Sequence, residues 1–216
     1  MAAFSRAHSV LGTRAVLAAA AFGSGAALVV AIVARTSLAL TLALFVTLGG
    51  VTVALWCLRA PAPARAEAGR RAVFGAFAGV AATVTYDVVR LAVVEVLRLR
   101  VHPYDTFYLF GQLITGSAGP ADWVVGTAYH YLNGILFAVA YSLLLSGRSW
   151  RFGVAWGLGL ESLMLLVYPA WLNIHLLMLE FTVMSVAGHV GYGTTLGLLC
   201  QRRNRGWRAP PRRVVR

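Results

Sequence analysis

The side chains of this 216-residue chain that could do chemistry lie where the sequence is most apolar. Asp87, Arg90 and Glu95 fall in one long hydrophobic run, His130 and Asn133 in a second, Glu161 in a third, and Glu180 and His189 in a fourth. His175 stands just before the last run, and His102 lies between the first two. A charged side chain at mid-bilayer costs roughly 2.5–3.5 kcal/mol on insertion scales, so each of these groups needs a partner or a use. Asp87 and Arg90, three residues apart, can pair within one helix. Glu161 has no ionic partner in its own helix and is the candidate proton carrier or general acid. His130 and His175 are the candidate ligands for a metal or haem iron. The residues identify no cofactor, and no P-loop, HExxH, GxSxG or CxxC motif occurs.

Helices must position these groups. At 100° per residue, Thr83, Asp87 and Arg90 share one stripe, His130, Asn133 and Phe137 another, and Glu161 and Tyr168 a third. Glu180 and His189 are nine residues apart and fall on opposite faces of an unbroken helix. At ~1.5 Å per residue, Asp87 lies about 22 Å along its span from the cytoplasmic start. His130 lies about 10 Å below the outer surface by the same rise. The expected site is a polar cavity that opens outward, with Asp87, Arg90, His130, Asn133, Glu161, Tyr168 and His175 as its binding residues.

The composition supplies such helices. Of the chain, 59% is hydrophobic and 12% charged, against about a quarter charged in soluble domains. Apolar runs predict spans over 15–34, 37–58, 72–97, 123–146, 152–172 and 176–199, each near the 20 residues needed to cross a bilayer. The fold class is therefore all-α, a polytopic membrane bundle of about six transmembrane helices. The first run exceeds the roughly 7–15 residues of a signal-peptide core and is read as a retained helix. Residues 1–59 form an N-terminal helix pair, 60–71 a basic Pro/Ala linker that does not continue a helix, and 72–200 a four-helix unit. The outer loop 98–122 of that unit is apolar enough to lie on the bundle mouth as a half-inserted lid. Gly75 with Gly79, Gly153 with Gly157, and Gly193 with Gly197 are spaced for close helix contact. No internal repeat is evident.

The formal charge of +12 comes from arginine alone. With both termini inside, fifteen arginines fall on the cytoplasmic side and only Arg35, Arg98 and Arg100 outside. That bias predicts cytoplasmic termini in a plasma (inner) membrane. Seven arginines crowd residues 201–216, a polybasic tail suited to anionic lipid head groups. Their distribution favours a bilayer partner over nucleic acid.

Three features carry a resemblance: Gly-x-x-x-Gly-x-x-Ala-Thr over residues 75–83, Trp123 followed by His130, Gly134 and Phe137, and a closing Gly188-His-x-x-Tyr-Gly193 with Gly197. In these, residues 72–200 resemble uncharacterised bacterial multi-pass inner-membrane proteins. The resemblance implies a membrane helical fold and no activity. Three functions stay open. The first is binding or passage of a proton, metal cation or small polar ligand. The second is a membrane-embedded enzyme with terpene-cyclase-like chemistry, in which Glu161 or Asp87 is the acid and aromatics stabilise a cation. The third is an accessory subunit that packs on a membrane protein partner or on a second copy.

Overall fold

Backbone polar groups in hydrocarbon must bond within their own segment. The apolar runs meet this demand with helices, and no strand occurs among the described residues. A computed structural model describes the backbone of residues 2–172 and 175–208, and the side chains of residues 12–168 and 176–203. In chain order the helices are α1 (Ala2–Ala21), α2 (Gly23–Ala34), α3 (Leu38–Arg59), α4 (Ala62–Leu97), α5 (Asp105–Thr115), α6 (Ala121–Leu145), α7 (Arg151–Leu172) and α8 (Met178–Arg208). A short 3-10 turn, His175–Leu177, leads into α8. Five helices are long and apolar enough to cross a membrane, and the bent pair α1–α2 makes a sixth span. The protein is a multi-pass helical membrane protein.

Two expectations change. The first span is not one straight helix: it bends by 54° between α1 and α2, at Phe22. The Phe22 ring packs against Phe137 of α6 and Trp156 of α7, each at a centroid distance of 5.3 Å, so tertiary packing holds the bend. Nor is the Pro/Ala segment a linker. The chain breaks only at Ala60 and Pro61 and is helical again from Ala62. Proline is tolerated in a first helical turn, where its missing N–H has no partner to lose. The following Ala, Arg and Glu residues are good helix formers. Glu67 accepts from Arg70 and Arg71, and Arg71 also donates to Ser146 at the end of α6. The extension is thereby docked.

α4 lies at the centre, against α6 on one side and α8 on the other, while α7 packs on α8. α3 is peripheral, with Leu40, Leu44, Leu48 and Leu58 exposed. The outer loop carries α5, which buries Phe107 and Phe110 and lies along α6. This contact is backbone on backbone. A Cβ on Gly126 would sit 1.7 Å from the Phe107 carbonyl oxygen, and one on Gly111 would sit 2.0 Å from that of Asp122. Asp122 closes the α5–α6 turn by accepting from Thr115 Oγ1 and the Gly119 N–H, each at 2.8 Å. Gly126→Val is therefore expected to undock α5 while the long helices stay packed. Amide exchange across residues 105–115 should rise at least about tenfold, the signature of local opening. Unchanged exchange would show that α5 does not depend on this contact.

Candidate functional site

Four-residue steps along paired helices build the site. α7 and α8 run antiparallel and meet glycine to glycine: a Cβ on Gly153 would lie 2.2 Å from the Gly193 carbonyl oxygen and 2.7 Å from Gly197 Cα. One step on, Gly157 faces His189 and Gly193. One step further, Glu161 meets His189 itself. The same ladder joins α4 and α6. Gly75 lies against Ser142, Gly79 against Ala138, and Thr83 against Gly134. The next rung is Asp87 against His130. Small residues let each pair of backbones approach, and each ladder ends in a carboxylate–histidine pair.

The two pairs differ in quality. Glu161 is 2% exposed; its Oε2 accepts from Ser185 Oγ at 2.7 Å and lies 2.8 Å from His189 Nδ1 as an ion-pair contact. His189 Nδ1 also lies 3.0 Å from the Ser185 carbonyl oxygen. A carbonyl only accepts, so Nδ1 carries the proton, and Nε2 is left as the acid–base atom. His130 donates from Nε2 to Asp87 Oδ1 at 3.1 Å, which leaves its Nδ1 as acceptor. Asp87 also holds Arg90 at a looser 3.8 Å. Tyr86 stands between the pairs. Its ring meets His189 edge-on at 4.8 Å and His130 at 5.6 Å, and the Arg90 guanidinium lies 4.9 Å from its centroid.

These groups border a cavity of about 190 Å³. Arg90, His130, Asn133, Tyr168 and His189 line it, but Asp87 and Glu161 do not: both acids stand behind their histidines. The rest of the wall is mostly aliphatic and aromatic, from Phe22 and Leu28 at the N-terminal pair to Leu163 of α7 and Phe181 of α8. Phe110 of α5 closes it at the loop end. The chamber is thus less polar than expected: Asp87 pairs with His130 and Arg90, and Glu161 Oε2 with Ser185 and His189, while Glu161 Oε1 is buried with no hydrogen-bond partner among the described residues. The His175 side chain lies outside the described residues. Among the described residues, no group of three His, Cys, Asp or Glu side chains is placed to hold a metal ion.

Sequence reasoning brought Asp87, Arg90, His130, Asn133 and Tyr168 to one region. It placed His189 among the intramembrane polar groups and missed it as the partner of Glu161. The signal was present: from Gly157 and Gly193, one step of four in opposite directions reaches both residues. Tyr86 was expected only as one of the aromatics that could stabilise a cation, and Ser185 was not singled out, since nothing in its spacing marks it. Glu180, expected opposite His189, accepts from the Arg100 N–H and Nε and ties the segment after α4 to the start of α8. No family model, curated protein or solved structure matches this chain.

Proposed function

We propose that this is a plasma-membrane protein, with cytoplasmic termini and its basic tail on anionic lipid, that binds a lipid-soluble molecule with a polar head. The observation that carries this reading is the convergence of two carboxylate–histidine pairs and Arg90 on a largely apolar cavity. Apolar walls with a few convergent polar groups are the usual make-up of a ligand site. Oriented imidazoles then give or take a proton at the head. With the loop end outside, the cavity lies in the outer half of the bilayer.

The test uses a photoactivatable hexadecanoic acid and the matching alcohol, with the protein in phosphatidylcholine nanodiscs. Saturable labelling of residues 22–29 and 160–168, displaced by unlabelled probe, is the expected result. Labelling that is not saturable, or that spreads evenly over the lipid-facing helices, would sink the reading. A second reading, acid–base catalysis on a lipophilic substrate, is favoured by the Glu161–His189 pair, whose histidine lines the cavity. Incubation with a total-lipid extract should then deplete one lipid class with wild type and not with His189→Asn. Identical lipid profiles would remove that reading.

A further inference from the structure

Arg90 is poorly satisfied for a buried cation. Its side chain is 3% exposed, its one ion pair is at 3.8 Å, and its Nε has no hydrogen-bond partner among the described residues. The Asp87 oxygen that it approaches is held more closely by His130. A guanidinium presents five N–H donors in a planar fork that matches a carboxylate. Here that fork borders the cavity.

We propose that the cavity holds the carboxylate head of a long-chain, single-tailed acid, with Arg90 as its counter-ion. This rests on the ligand-binding reading above and names the ligand class. Two observations argue for a chain that runs on into lipid. A cavity of about 190 Å³ is smaller than the roughly 300–1,000 Å³ of pockets that enclose a whole ligand. Leu163 lines the cavity yet is 48% exposed, so the wall opens where α7 faces α2. Contacts between α2 and α7 are sparse, and the bend at Phe22 sits beside this opening.

The experiment is competition against the photoprobe in phosphatidylcholine nanodiscs. Hexadecanoic acid is expected to compete at least about tenfold better than hexadecanol, equivalent to one charge-assisted contact. Arg90→Gln should erase that preference and Arg90→Lys should retain part of it. Labelling by the alcohol probe reports that both variants are folded. Equal competition by acid and alcohol, or a preference that survives Arg90→Gln, overturns the head-group assignment while the cavity reading stands. Competition by phosphatidylserine overturns the single-tailed assignment. Absence of saturable labelling removes the reading beneath.

Discussion

Replacement of Gly193 by leucine is expected to abolish the folded bundle. A Cβ at this position would lie 2.3 Å from the Gly153 carbonyl oxygen and 2.9 Å from Val154 Cα. Both obstacles are backbone, so no rotamer change relieves them and the two helices must separate. Overpacking that side chains can absorb costs about 1–3 kcal/mol; a clash that side chains cannot absorb should exceed that range. Separation would also break the Glu161–His189 pair, whose histidine lies one turn from Gly193 along α8. Gly159→Leu on α7 is the control, because an added Cβ there meets nothing within 4 Å, and a shift within about 0.5 kcal/mol is expected for such a site. Stability read by detergent-induced unfolding in mixed micelles, with wild type alongside, decides the matter. Equal midpoints for Gly193→Leu and wild type would mean that α7 and α8 do not approach as described.

The same glycines show how much of the protein is readable from its sequence. Run length locates the spans, since bilayer thickness sets a minimum that few alternatives meet. Small residues four apart announce close contacts but do not say with whom. Only when Gly153 and Gly157 are laid against Gly197 and Gly193 does the register carry forward to Glu161 and His189. The ladder from Gly75 to Asp87 and from Ser142 back to His130 follows the same rule. The chain therefore contains a repeated pattern, small residues leading to an acid on one helix and a histidine leading to small residues on the next. It is hidden because the intervening segments differ in length and the other side chains do not repeat. The bend at Phe22 has no such mark. It needs the Phe137 and Trp156 rings, which come from distant helices. The Pro-rich start of α4 misleads for the opposite reason: its composition suits a turn, yet its prolines fall where a helix accepts them.

Removal of either partner from the Glu161–His189 pair is expected to cost more than any other polar deletion in the bundle, and the coupling between them should be measurable. Polar contacts between membrane helices average about 0.6 kcal/mol and reach about 1.7, because the unfolded chain in the bilayer also finds partners. Glu161 is better placed than the average: it is 2% exposed, it accepts from Ser185, and His189 Nδ1 stands 2.8 Å away. A double-mutant cycle of Glu161→Ala and His189→Ala should therefore give a coupling near the upper figure, about 1.5 kcal/mol. The Asp87–His130 cycle should give about 0.6 kcal/mol. That contact is longer at 3.1 Å, the His130 side chain is 15% exposed, and Asp87 is shared with Arg90. Glu161→Gln should keep most of the stability lost in Glu161→Ala, since its amide oxygen can still accept from Ser185. A coupling near zero for Glu161 and His189 would show that the two ladders do not end in paired groups.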